Sequence, residues 1–235
     1  IGRLLGAEIL GIYSIALQFP QTLTRLIPAT WHRIAFPLFS RYKNSDHLKQ
    51  IVLKSSYQLA LVSLPLFIGI SAVAPDIITV LFSSKWHAAI FPMQILAIVA
   101  AIETINGLLP IVLNSIGRPG VNIVINIIAT VIFPITYYFS ALMWGLEGVL
   151  FGSILLYLYR YLTFLYITCR SLELKIASYF KNHLVSVMAT VTMFLGVMFA
   201  QQAMSSWDTI SRMSASIILG GVIYLGIQLF FNKMQ

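Results

Sequence analysis

From Ile123 to Phe139 the chain reads IVINIIATVIFPITYYF, apolar on nearly every side of whatever it builds. A segment of this kind has no face to turn toward water. A transmembrane β-strand would alternate apolar and polar residues over about ten positions, and that alternation is absent, so the spans are helices. The rest of the sequence agrees: 59% of residues are hydrophobic, only 9% are charged against roughly a quarter in soluble domains, and the mean hydropathy is +0.88. The expected fold class is all-α integral membrane, a polytopic helical bundle. At about 20 to 25 residues per span plus short loops, 235 residues accommodate six to eight helices.

Seven spans are read: Leu10 to Phe36, Val52 to Ala74, Ala89 to Asn114, Val121 to Tyr138, Val149 to Thr168, His183 to Ala200 and Ser211 to Phe231. Their ends fall into two sets. Arg33, Arg41, Lys43, Lys49, Lys54, Arg118, Arg170, Lys175, Lys181 and Lys233 lie on one side; Arg3, Lys85 and Arg212 lie on the other. Positively charged residues accumulate on the cytoplasmic side, which places FSRYKNSDHLK, IGRPG, SLELKIASYFKNH and the C-terminus inside and LGAEILG, SSKWHA, MWGLEG and SSWDT outside. Trp86, Trp144 and Trp207 all fall in the outer set, as an interfacial aromatic belt requires. The outer loops are short, so no extramembrane domain is expected.

The net charge of +8 therefore reports topology, and no nucleic-acid partner is expected. The basic segment from Arg41 to Lys54 is read as an anchor facing anionic membrane lipids. Cys169, the single cysteine, has no disulfide partner. Ile1 to Leu5 read as the outer end of a preceding span, and no signal peptide stands before them, so the chain is expected to be a C-terminal portion of a longer one. The organisation follows: residues 1–9 as the end of that helix and an outer loop, 10–170 as a five-helix bundle, and 171–235 as two additional helices.

Ionisable residues within a membrane cost at least a few kcal/mol each and face a bundle interior or a wet cavity. Arg25, Glu103 and Arg160 qualify by depth. Arg25 shares a helical stripe with Gln18, Gln21, Thr22 and His32. Glu103, Gly107, Pro110 and Asn114 step along one face of the third span, where the glycine and proline should loosen the helix. Asn122, Asn126, Thr130 and Pro134 recur four apart, and Ser153, Tyr157 and Arg160 align on the fifth span. One stripe alone would be adhesive between helices. Four, with two arginines and one glutamate, point to a polar, net-positive cavity and an anionic ligand. The last two spans, from Val185 to Ala200 and from Ile217 to Phe231, contain no charged residue and look peripheral. No nucleotide loop, metal-ligand spacing or nucleophile elbow is present, so no cofactor, no metal and no enzymatic activity are expected.

Several phrases carry a family resemblance. IGRLLGAEILGIYSIA at the start, FPLFSRY at Phe36 to Tyr42, KWHAAIFPMQILAI at Lys85 to Ile98, SIGRPG at Ser115 to Gly120 and GLEGVLFG at Gly145 to Gly152 occur in the order found in the polysaccharide transporter family. That family comprises bacterial lipid-linked oligosaccharide flippases, within the superfamily that includes MATE-type exporters and lipid II flippases. The chain resembles its C-terminal half, helices eight to fourteen of fourteen.

The resemblance implies alternating-access export of undecaprenyl-diphosphate-linked oligosaccharide across the bacterial cytoplasmic membrane, for O-antigen, capsule or exopolysaccharide. Lipid-linked oligosaccharide and membrane lipids are the expected partners, with polysaccharide assembly proteins beside them. On this reading Arg25 and Arg160 attract the diphosphate or acidic sugars. Gln21, Asn114, Asn122 and Asn126 also bind substrate, the asparagines through sugar hydroxyls, and Glu103 is an ion-coupling site or a charge partner. The rivals are a MATE-like exporter of cationic drugs, which should place carboxylates in the cavity, and an intramembrane polymerase or ligase, which should need a larger outer catalytic loop than Gln201 to Thr209.

Overall fold

The computed structural model describes residues 2–42 and 47–232, and side chains for all of these except 28–33 and 232. Among the described residues there is no strand. The order is α1 (Gly2–Leu5), α2 (Ala7–Tyr42), α3 (His47–Phe82), a 3-10 segment (Ser84–Ala89), α4 (Ile90–Asn106), α5 (Leu108–Ser115), α6 (Pro119–Ser171), α7 (Ile176–Ala203) and α8 (Thr209–Asn232). Five helical stretches are long and apolar enough to cross a membrane: α3, α4 with α5, α6, α7 and α8. The protein is a multi-pass, all-α membrane bundle.

Helix α6 spans 53 residues, too long for one crossing, and folds back on itself. Trp144 leaves helical geometry and Gly145 takes φ 58° and ψ −137°, a backbone state open to glycine and strained for other residues. The two arms then run antiparallel. Tyr137 meets Ser153, Phe133 packs edge-on against Tyr157, and Arg118 reaches Ser171, each partner moving up one arm as the other moves down. Counted as two arms, α6 brings the rods to seven once α2 is included, the number of spans read from the sequence. Gly148 lets the arms close, because a Cβ there would stand 2.2 Å from the Ser140 carbonyl oxygen.

The third span is broken as its composition predicts. Pro110 has no N–H to offer the turn before it, and α4 ends at Asn106 with α5 beginning at Leu108. Together α4 and α5 form the centre of the bundle, mostly buried, whereas α6 is mostly exposed and its outer face carries Ile123, Ile127, Val131 and Phe139. One apolar cluster, around Ala72, Ile78, Met93 and Leu96, joins α3 and α4 to α7 and α8. A second, around Phe39, Val52 and Val112, closes the opposite end.

The loops gather at two ends, as the charge pattern anticipates. Trp86 lies against Gly11, and its end also holds the Gly145 turn. At the other end Lys49 faces Glu173 at 3.7 Å and Arg118 donates to the Ser171 hydroxyl at 2.9 Å. Lys43 and Lys233 of the basic set lie outside the described residues, as does the Arg33 side chain.

Helices α7 and α8 attach chiefly along α3. They approach each other at Gly196 and Gly220, where added Cβ atoms would stand 2.6 Å from Ile223 and 3.1 Å from Val197. Tyr224 donates to the Leu61 carbonyl at 2.8 Å and Asn182 to that of Leu53 at 2.8 Å. Near the tryptophan end Asp76, wholly buried, accepts from Arg212 Nε at 3.0 Å and Gln201 Nε2 at 3.0 Å. Asp76 is therefore a fourth ionisable residue within the bundle, beyond the three ranked by depth. The apolar run predicts a second span ending at Ala74, whereas α3 continues to Phe82 and carries Asp76 into the contact with α7 and α8.

Candidate functional site

Four rods surround one polar cavity of about 360 Å³. Helix α2 contributes Gln21, Thr24 and Arg25, α4 contributes Glu103, and the two arms of α6 contribute Tyr137, Ser153 and Tyr157. The local reason is helical spacing. Tyr13, Leu17, Pro20, Gln21, Thr24 and Arg25 recur three and four apart, so a single face of α2 supplies them. The hairpin supplies its share because Tyr137 and Ser153 stand across the two arms, with the Ser153 hydroxyl donating to the Tyr137 oxygen at 3.2 Å and to the Val149 carbonyl at 2.8 Å.

The cavity holds opposite charges that are not locked together. Among the described residues Arg25 and Glu103 form neither an ion pair nor a hydrogen bond. Arg25 is exposed on the chain as described, and Glu103 is half-buried. An arginine free of a structural partner and flanked by amide, hydroxyl and phenol groups can receive an anion bearing hydroxyls. Among the described residues no three histidine, cysteine, aspartate or glutamate side chains converge on a point that could hold a metal ion.

The other candidates are placed elsewhere. Asn126 Nδ2 donates to the Asn122 carbonyl at 2.9 Å and to its side-chain oxygen at 2.7 Å, and its own Oδ1 accepts from Arg160 at 3.1 Å. Arg160 also lies over the Phe164 ring at 5.8 Å from the centroid, leaving its Nε buried without a partner. The Arg160–Asn126 bond braces the α6 hairpin, and Arg160 borders a narrow cleft of about 30 Å³ rather than the main cavity. The stripe on α2 also divides: Gln18 and Thr22 are exposed and do not line the cavity, the Thr22 hydroxyl bonding back to the Gln18 carbonyl. The His32 side chain is outside the described residues.

Asn114 sits on α5, away from the cavity, and its Oδ1 is buried without a hydrogen-bond partner. So are Thr104 Oγ1 and Asn106 Oδ1, which flank the break between α4 and α5. Each unsatisfied buried polar atom costs about 1 to 3 kcal/mol. Their clustering marks the break as a place where water or a shift of helix would be stabilising. Sequence reading missed Tyr13, Tyr137 and Thr24 as cavity residues. Tyr13 eight residues before Gln21 and Thr24 three after it, both on the Gln21 face of a helix, are the available signal for α2, while Tyr137 needs knowledge of the hairpin register.

Comparison with known proteins bears out the resemblance. Residues 1–91 match the family described as polysaccharide biosynthesis protein. The teichuronic acid biosynthesis protein TuaB of Bacillus subtilis is 27% identical over 230 residues, covering 96% of this chain and 47% of that protein. The amylovoran biosynthesis protein AmsL of Erwinia amylovora is 26% identical over 133 residues, covering 56% of this chain and 34% of that protein. The lipopolysaccharide biosynthesis protein WzxC of Escherichia coli is 23% identical over 160 residues, covering 66% and 32% respectively. The chain spans about half the length, or less, of the curated relatives it matches. No solved structure matches it. In sequence the chain is similar to proteins of bacterial polysaccharide biosynthesis.

Proposed function

We propose that this chain forms one wall of a transporter that moves lipid-linked oligosaccharide units across the bacterial cytoplasmic membrane during surface polysaccharide synthesis. The observation that carries this reading is the cavity between α2, α4 and α6 of a membrane bundle, whose wall Arg25 lines among hydrogen-bonding side chains with no ion-pair or hydrogen-bond partner among the described residues. The relatives named for teichuronic acid, amylovoran and lipopolysaccharide synthesis support the glycan side of it.

A diphosphate cannot enter hydrocarbon unaided, since burying an unpaired charge costs far more than a lipid anchor returns. Arg25 would take the diphosphate, and Gln21, Thr24, Ser153 and Tyr157 would hydrogen-bond the first sugars. The lipid tail would stay in the bilayer. Arg160 is committed to Asn126, and it would act through the shape of the hairpin. In a transporter of the relatives' full length, a facing half would complete the cavity and the two halves would rock to give alternating access. The basic end, including the C-terminus, would face the cytoplasm.

Glu103 favours a second element of the same reading. A carboxylate in the cavity with no ion pair among the described residues could carry a coupling proton or cation. The test uses the intact transporter in cells lacking it, with lipid-linked units quantified on each leaflet. Wild type should clear the cytoplasmic leaflet. Arg25→Ala should slow clearance about tenfold, the loss expected for one charged hydrogen bond. Units that reach the outer leaflet equally well without the protein would overturn the reading.

A further inference from the structure

A second cavity of about 340 Å³ opens at the basic end of the bundle, between the first turns of α3, the first turns of α7 and the last turns of α8. It shares no residue with the cavity around Arg25. Its rim carries Lys54 from α3 and Lys181 from α7, brought together although 127 residues separate them in sequence, with the Gln50 amide beside them. Among the described residues neither lysine has an acidic partner within 4 Å. The acidic residue described at this end, Glu173, faces Lys49.

The floor of this cavity is fixed by hydrogen bonds that cross all three helices. Tyr57 donates to Gln228 Oε1 at 3.2 Å, and Gln228 Nε2 donates to the Ser186 and Tyr224 hydroxyl oxygens at 3.2 and 3.1 Å. Gln228 is only 7% exposed, and Asn182 is held by its bond to the Leu53 carbonyl. Two ammonium groups are thus set over a rigid polar floor, while Leu53, Val185 and Phe231 supply an apolar flank on the side that continues along the spans.

From this arrangement we infer that the α3–α7–α8 cavity binds the phosphate headgroup of an anionic membrane lipid, at a site separate from the transport cavity. Lysine ammoniums meet phosphate as point charges, and the site opens at the end of the bundle where the basic residues gather. The apolar flank accepts the first methylenes of the acyl chains, which free phosphate lacks. The lipid would bridge α7 and α8 to α3, the helix along which they are attached.

The test is lipid retention by the purified protein, read by native mass spectrometry after exchange into detergent carrying phosphatidylglycerol or phosphatidylcholine. Wild type should retain one phosphatidylglycerol and no equivalent phosphatidylcholine. Each of Lys54→Gln and Lys181→Gln should weaken retention about fivefold, as expected for one lysine near an anionic lipid surface. A control pair at the same end but outside the cavity, Arg170→Gln with Lys175→Gln, should leave it unchanged. Equal loss in the control pair, or undiminished retention in the Lys54/Lys181 double variant, would overturn the site. Full displacement of the lipid by millimolar inorganic phosphate would overturn its assignment to a lipid. A preserved helical circular dichroism spectrum in each variant separates these outcomes from misfolding.

Discussion

Asp76 shows how much one side chain can hold. It is wholly buried, and Arg212 and Gln201 both donate to it, so removing its charge leaves a guanidinium facing a neutral oxygen in a low-dielectric setting. Asp76→Asn should cost about 3 to 5 kcal/mol and lower the thermal midpoint of the detergent-solubilised protein. Combining Asp76→Leu with Arg212→Met should recover most of that loss, since an apolar pair of similar volume carries no desolvation penalty. A double variant as unstable as the single one would show that the pair does more than satisfy its own charges. Asp208, just outside α8, acts at the surface. The Ser211 hydroxyl and, after it, the Ser211 backbone N–H that its carboxylate accepts from at 3.0 Å hold its carboxyl below the usual aspartate range. A carboxyl lowered in the folded state stabilises that state above its ordinary range, and the contribution disappears as pH falls through the lowered value. The first turn of α8 should therefore fray in acid, seen as faster amide exchange at Ser211 near pH 3 than near pH 6 after correction for intrinsic rates. Asp208→Asn should remove the difference.

At the scale of the element, the α6 hairpin is the device on which the site depends, because it puts Tyr137 opposite Ser153 and Tyr157 on the cavity wall. Gly145→Ala places a side chain on a backbone at φ 58° and ψ −137°, a strain of about 1 to 3 kcal/mol. Gly148→Ala sets a methyl against the Ser140 carbonyl, so the arms must separate. A disulfide between Ser140→Cys and Gly152→Cys, whose Cβ atoms would stand 3.8 Å apart across the arms, should form readily in the wild-type background and poorly with Gly148→Ala. Equal cross-linking would mean the arms do not need that contact. Much of this element was legible. The apolar runs on either side of MWGLEG gave two spans, and Gly107 with Pro110 gave the break between α4 and α5. Partnership was not legible. Helical spacing puts Arg160 and Tyr157 on one stripe, yet Tyr157 lines the cavity while Arg160 turns to Asn126 on the neighbouring arm. Asp76 and Arg212 lie 136 residues apart, and no local pattern announces their meeting.

Over the whole molecule, the apolar outer face of α6, the buried centre formed by α4 and α5, and the basic and tryptophan-bearing ends together describe a slab oriented across a bilayer. Its charges were readable because membrane helices admit few and the physical cost restricts where they stand. The sequence leads one to expect a polar, net-positive space, whereas the cavity among α2, α4 and both arms of α6 is polar and its lining sets one arginine, Arg25, against one glutamate, Glu103. Glu103 shares that space with Arg25, so the account also predicts that Glu103→Gln alters the dependence of export on the proton or cation gradient more than it alters substrate capture. The most direct measurement is photocross-linking in the intact transporter, with a photoreactive amino acid at Tyr157 on the cavity wall or at Phe139, 58% exposed on the outer face. The account predicts adducts with lipid-linked oligosaccharide from Tyr157, reduced by Arg25→Ala, and none carrying sugar from Phe139. Sugar-bearing adducts from Phe139 alone, or undiminished adducts from Tyr157 without Arg25, would contradict it.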